Sequence, residues 1–165
     1  MTRIAGYTLL LTAALASAQS KQPKTPAQTL AGVFHATNAQ ILEMAKDFPE
    51  DKYGFRLKPE MRSFGDVIVH VASGNIFASK AGRGEKVKWD ELDPKNYHGK
   101  AEVVALLEKS IADANSALDA NPTGPSKDLQ PFLSVMEHSA EHYGLLVAYY
   151  RASGLVPPAS RPKSK

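Results

Sequence analysis

Apolar residues recur at spacings of three and four along four segments of the chain, and this period predicts four amphipathic helices. The first segment opens on Thr25-Pro26-Ala27-Gln28, where a capping hydroxyl, a proline at the first helical position and a glutamine three residues after the cap mark a helix start. Its apolar stripe continues to Phe48. The fourth segment begins near residues 128–131 and ends at Ser153, before a glycine suited to a left-handed cap.

Two further helices are expected in the middle of the chain. The second begins at Ser63, with an acid in its first turn, and the third runs from about Lys100 to Ala120. Residues 80–99 between them are polar and contain the only tryptophan, Trp89, so we expect a lid, a binding loop or a flexible connection. No segment alternates as a strand would. The pattern therefore predicts an all-α, up-down four-helix bundle with a long loop between helices 2 and 3.

The second predicted helix is apolar on two sides. Its wide arc, which includes His70, faces the core, whereas a narrow opposite stripe consists of Gly65, Val69, Ala72 and Ile76. A single chain offers no evident cover for that stripe. We therefore expect it to pack against a second subunit in a homodimer.

The first 18 residues have the three parts of a secretory signal peptide. Arg3 supplies a positive charge, residues 4–15 are mostly apolar, and Ala16-Ser17-Ala18 is a small-x-small cleavage signal. The apolar run is shorter than the roughly 20 residues that a membrane anchor needs. We expect the protein to be exported to the periplasm or the cell exterior, with no integral membrane segment left after cleavage.

The mature chain is expected to consist of a mobile leader (19–24), one helical domain (25–160) and a basic tail (161–165). Six of the 20 basic residues lie outside residues 25–160, whereas all 17 acidic residues lie within them. The domain is therefore slightly acidic, although the whole chain carries a formal charge of +3. It has no basic stripe interleaved with aromatic residues, so a nucleic-acid partner is not expected.

The last predicted helix carries the strongest candidates for chemistry. Because the chain has no cysteine, any metal chemistry must depend on His, Asp and Glu. The inward arc of this helix places His138 and His142 near the middle of its apolar face, and histidines at i and i+4 can converge on one cation. His70 adds a third inward imidazole from another helix. Three histidines with one open position would form a catalytic-type metal site, and a buried hydrogen-bonded network that also includes a tyrosine is the alternative.

The other polar candidates, except Tyr149, are expected at the surface. His35 lies off the stripe of the first helix, and His98 ends the long loop. Glu137 and Glu141 fall away from the inward arc of the last helix, and Tyr149 is expected to pack in the core. The sequence therefore identifies no general base, and the catalytic residues stay unassigned.

Three stretches of the chain resemble one family of helical bundles. Residues 61–72, Met-Arg-Ser-Phe-Gly-Asp-Val-Ile-Val-His-Val-Ala, are similar to the second-helix motif of the DinB-like superfamily, and residues 138–147 and 150–160 are similar to its last helix and tail. The resemblance spans about residues 25–160 and is strongest at the three histidine positions. It implies a four-helix bundle of DinB type.

The resemblance also implies a function. It suggests a divalent metal ion, zinc or nickel, held by His70, His138 and His142, in a homodimer that could take a small-molecule ligand. Enzymes of the superfamily transfer low-molecular-weight thiols or catalyse isomerisation with thiol cofactors. This chain departs from the cytosolic pattern of those enzymes, because it carries a predicted export signal. The expected function is a metal-dependent enzyme of thiol-transferase or hydrolase type, acting through Lewis acidity. The alternative is a non-enzymatic, metal-stabilised helical module for binding or stress.

Overall fold

The computed structural model of the protein describes residues 24–120 and 126–162. Within them the chain forms four α-helices and no strand: α1 (Pro26–Asp47), α2 (Phe64–Gly82), α3 (Gly99–Asp119) and α4 (Ser126–Ala152). The predicted all-α four-helix bundle is confirmed. The predicted signal peptide, residues 19–23 of the leader and residues 163–165 of the tail lie outside the described residues.

The helix boundaries follow from local chemistry. At the start of α1 the Thr25 hydroxyl accepts from the backbone N–H of Gln28 at 3.2 Å, and the Gln28 side chain accepts from the Thr25 N–H at 2.9 Å. Ser63 and Asp66 make the same reciprocal pair at the start of α2, at 3.1 and 2.9 Å. After α4 the chain turns at Gly154 with φ +75°, as the predicted left-handed cap requires.

The helices run up, down, down and up. The end of α1 lies against the start of α2, where the rings of Phe48 and Phe64 stack with centroids 3.8 Å apart. The start of α3 is tied to the same end of the bundle, because Lys100 donates to the Phe48 carbonyl oxygen at 2.9 Å. Strict up-down alternation is therefore broken between α2 and α3, which run parallel. The loop between them, residues 83–98, is long because it must return along the bundle.

Two apolar clusters fill the bundle, one at each end. The larger joins the end of α1 to the starts of α2 and α3 and the last turns of α4, around Ile41, Ile68, Leu107 and Leu146. The smaller lies at the opposite end, around Phe34, Ala78, Leu118 and Phe132. The described part of the chain contains no helix with both the length and the apolar character needed to cross a bilayer.

The stripe that was expected to meet a second subunit is mostly buried within the chain itself. Val69 and Ala72 are 1% and 0% exposed and belong to the larger apolar cluster, together with residues of α3. Gly65 lies against the Tyr53 ring, and Ile76 alone is partly exposed. The argument for a homodimer from this stripe was wrong, because α2 is packed on both sides by α3 and α4.

A pair of polar side chains lies inside the bundle, between α1 and α2. Asn38 of α1 and Asn75 of α2 exchange two side-chain hydrogen bonds, at 3.2 and 3.1 Å, and are 1% and 0% exposed. Val33, which the spacing of three and four places among the apolar residues of α1, is 48% exposed. The buried face of α1 is thus rotated toward Asn38.

Arg161, the first residue of the predicted basic tail, contacts the end of α1. Arg161 pairs with both carboxylate oxygens of Asp47, at 2.8 and 2.5 Å, and Asp47 also accepts from the Tyr150 hydroxyl at 3.0 Å. This ion pair therefore holds Arg161 against the end of α1.

Candidate metal centre

The three predicted histidines meet at the seam between α2 and α4. His70 lies in the second turn of α2, and His138 and His142 lie one turn apart in the middle of α4. The Nε2 atom of His138 is 2.8 Å from Nε2 of His70 and 3.1 Å from Nε2 of His142. One ligand atom from each residue lies within 4.8 Å of the other two.

The cluster lies at the margin of the core. The buried residues of α4 are Phe132, Val135, Ser139, Leu146, Tyr149 and Tyr150. His138 and His142 are only partly buried beside this face, and the His70 side chain is 12% exposed. At 100° per residue, the mean direction of the two imidazoles lies about 60° from the centre of the buried face, so the expectation that both lie in its middle was wrong by about a sixth of a turn. The cluster consequently borders solvent while its walls are apolar.

Glu91, in the loop after α2, determines how His70 presents its nitrogens. Its Oε1 lies 2.9 Å from Nδ1 of His70, and its carboxylate is also bound by Arg62 at 2.8 and 3.1 Å. An ionised carboxylate can only accept, so Nδ1 of His70 is the donor in this hydrogen bond, and Nε2 is the ring nitrogen left to bind a cation. Burial tends to raise the pKa of Glu91, but the hydrogen bond from His70 and the Arg62 charge together hold it below its usual range.

The two α4 histidines are held in their neutral form. Burial is the main cause that lowers the pKa of His138 and of His142 to about 4, and the neighbouring imidazoles and Arg62 add to it. A neutral imidazole is the form that binds metal. Near neutral pH these two rings therefore need no proton release before binding a cation.

The donor set fits a shared cation better than it fits a hydrogen-bonded network. His138 Nε2 faces two other Nε2 atoms but can carry only one hydrogen, so the three nitrogens cannot all be satisfied by one another. When two nitrogens coordinate the same zinc ion in tetrahedral geometry, each at 2.0–2.1 Å from the ion, the nitrogens lie about 3.3 Å apart. The two observed separations, 2.8 and 3.1 Å, are shorter than that value by about 0.5 and 0.2 Å. His70, His138 and His142 could therefore hold a metal ion.

The family-model comparison covers the segment that contains all three histidines. The model of the DinB superfamily matches residues 34–146, which cover α2, α3 and most of α4. The chain belongs to the DinB superfamily. No curated protein is similar enough to this chain to count as a match.

The loop supplies two residues of this DinB site that periodicity could not identify. The ring of Trp89 lies over the cluster, with its centroid 5.9 Å from His70 and 5.5 Å from His138. Glu91 follows two residues later. The sequence marked the loop by its length and its only tryptophan, but nothing in its spacing indicated that Glu91 would reach His70.

Two depressions reach the cluster from opposite sides. One, of about 340 Å³, is lined by apolar groups of Phe77, Trp89 and Val135 together with His70 and His138. The other, of about 430 Å³, brings Arg62, Leu145 and Tyr149 beside His142. A small ligand could approach the histidines from either side.

The other predicted surface residues lie outside the cluster. His98 is exposed before α3, and Glu137 and Glu141 are exposed on α4. His35 was expected to face solvent but is partly buried, with Nε2 3.3 Å from Asp119. Tyr149 is fully buried and donates to the carbonyl oxygen of Arg62.

Proposed function

We propose that this DinB protein is an exported, metal-dependent enzyme that binds one zinc or nickel ion through His70, His138 and His142. The observation that carries the proposal is the convergence of three Nε2 atoms from two helices at the margin of the core. Its substrate is a small molecule, and its chemistry is of thiol-transferase or hydrolase type.

The bound ion would supply Lewis acidity to a group of the ligand. The protein's own contribution is to hold the three imidazoles in place and to limit water with the apolar wall of the first depression. Arg62 is 45% exposed at the second depression, so it offers a cation to an anionic part of the ligand. Trp89 and Phe77 offer an apolar surface at the first depression.

A second candidate function is a non-enzymatic, metal-stabilised module. One observation favours it: the three histidines come from α2 and α4, so a shared ion would cross-link two helices and stabilise the bundle. The apolar clusters at both ends argue that the bundle folds without such a cross-link.

Metal content tests both candidates. Protein purified without added metal and then loaded with zinc or nickel should contain about one equivalent by elemental analysis. His142→Ala should lose most of it, because two imidazoles cannot form the same site. His98→Ala is the matched control, since His98 is exposed and outside the cluster. Less than about 0.2 equivalents in the loaded wild type would overturn both candidates, given the affinity expected of three imidazoles.

His142→Ala also separates the two candidates once an activity is found. Loss of turnover with an unchanged melting curve of the metal-free protein indicates catalysis. If His142→Ala instead keeps its turnover but melts at a much lower temperature than the wild type after both are loaded with metal, the structural module is indicated.

Export and self-association are separate parts of the proposal. If the signal peptide is cleaved as proposed, the mature protein begins at Gln19, which N-terminal sequencing of secreted material would test. Sedimentation at micromolar concentration would test a homodimer. A homodimer would have to use a surface other than the buried part of the α2 stripe.

A further inference from the structure

Among the three histidines, His70 alone has a protein partner for its second ring nitrogen in the described part of the chain. Nδ1 of His70 bonds to Glu91 at 2.9 Å, whereas Nδ1 of His138 and Nδ1 of His142 are buried without a hydrogen-bond partner. The carboxylate is itself held by Arg62 at 2.8 and 3.1 Å. One loop residue thus orients the α2 member of the cluster.

The segment that carries Glu91 is fastened to α2 at a second point. The backbone N–H of Leu92 donates to the Ser73 hydroxyl at 3.1 Å, and Ser73 is 1% exposed. Ser73 follows His70 by one turn of α2. Together with Trp89 over the rings, these contacts hold residues 89–92 against the cluster, although the loop around them is largely exposed.

We infer that Glu91 is a positioning residue for the metal centre, which fixes His70 with Nε2 toward the ion and makes residues 89–92 a part of the site. The inference rests on the proposed metal binding. A carboxylate on the far nitrogen of a metal-binding imidazole sets its tautomer and its ring orientation and makes the ring a better donor. Among the described residues, no protein group supplies either effect to His138 or His142.

Removal of the carboxylate should weaken metal binding without unfolding the protein. Glu91→Ala should raise the dissociation constant for nickel about 10–100-fold, the range found when such partners are removed. Glu91→Gln should lie between Glu91→Ala and wild type, because its amide oxygen can still accept from Nδ1. Glu85→Ala is the matched control, since Glu85 lies in the same loop, has a side chain that is 47% exposed and pairs with Arg83 rather than with a residue of the cluster.

Calorimetric titration of each metal-free protein with nickel would measure the dissociation constants, and the melting temperature of each metal-free protein would show that the fold is kept. Trp89, the only tryptophan, provides an independent optical readout, because a paramagnetic ion beside its ring should quench its fluorescence. In Glu91→Ala the quenching at saturation should be weaker, because the loop is released from His70.

The outcomes distinguish this inference from the proposed function. If the wild type binds no nickel, the metal centre itself is refuted. If the wild type binds and Glu91→Ala binds less than tenfold more weakly than Glu85→Ala, the positioning role is refuted and the metal centre stands. If Glu91→Ala does not fold, Glu91→Gln decides: affinity equal to wild type refutes the role, and weaker affinity supports it.

Discussion

The buried amide pair between Asn38 and Asn75 provides a sharp test of how α2, and with it His70, is held in the bundle. Each side chain is at most 1% exposed, and each donates to the other at 3.1–3.2 Å. Asn38→Ala removes both hydrogen bonds and leaves the Asn75 amide with an unpaired donor and acceptor away from water. The lost bonds and the unpaired amide together should cost about 2–4 kcal/mol in the free energy of unfolding.

Urea denaturation followed by circular dichroism would measure this cost. Because natural domains are stable by only about 5–15 kcal/mol, the loss should be plain as a lower midpoint with an unchanged slope. The melting temperature should fall by roughly 5–15 °C. Gln40→Ala, at an exposed position of the same helix, should change stability by no more than about 0.5 kcal/mol.

The double variant Asn38→Ala/Asn75→Ala tests the reasoning itself. If the main cost is an unpaired amide, the second substitution removes that amide, and the two effects should fall short of additivity by about 1–3 kcal/mol. Additive effects, or a cost below about 0.5 kcal/mol for Asn38→Ala, would show that the pair does not link the two helices.

Two further predictions concern close packing and pH. An added Cβ at Gly82 would lie 2.3 Å from the buried Phe132 ring, so Gly82→Ala should lower the free energy of unfolding by about 1–3 kcal/mol. An added Cβ at Gly144 would have nothing within 4 Å, so Gly144→Ala should raise the free energy of unfolding by about 0.5–1 kcal/mol. Urea midpoints that shift in the same direction in both variants would contradict this prediction. Because burial lowers the pKa of His138 and His142 from 6.5 to about 4, the unfolded chain takes up protons first as the pH falls. In the metal-free protein, the free energy of unfolding should therefore be unaffected by these two histidines above pH 6.5. It should fall as the pH is lowered from 6.5 to about 4. His138→Gln/His142→Gln should lose less over the same range in chelator, and parallel curves for the two proteins would contradict the assignment.

Local sequence signals determined where α1 and α2 begin and which residues can lie together along one helix. The hydroxyl and the glutamine or acid of each capping box are three residues apart, and the i and i+4 spacing of His138 and His142 belongs to one helix, so their geometry needs no distant partner. The apolar stripe of α3 is likewise buried as its spacing predicts, at Val103, Leu107, Ala114 and Leu118.

The tertiary structure decided how the helices are rotated and what covers them. Periodicity could identify both apolar sides of α2 but could not show that α3 would bury Val69 and Ala72 within one chain. It placed His138 and His142 on the correct helix and misjudged their rotation, because the position of the core depends on the neighbouring helices. Glu91 reaches His70 across 21 residues of sequence through a loop without periodicity. Such contacts arise only when separate elements pack, so the candidate ligands could be predicted from the sequence, whereas their surroundings could not.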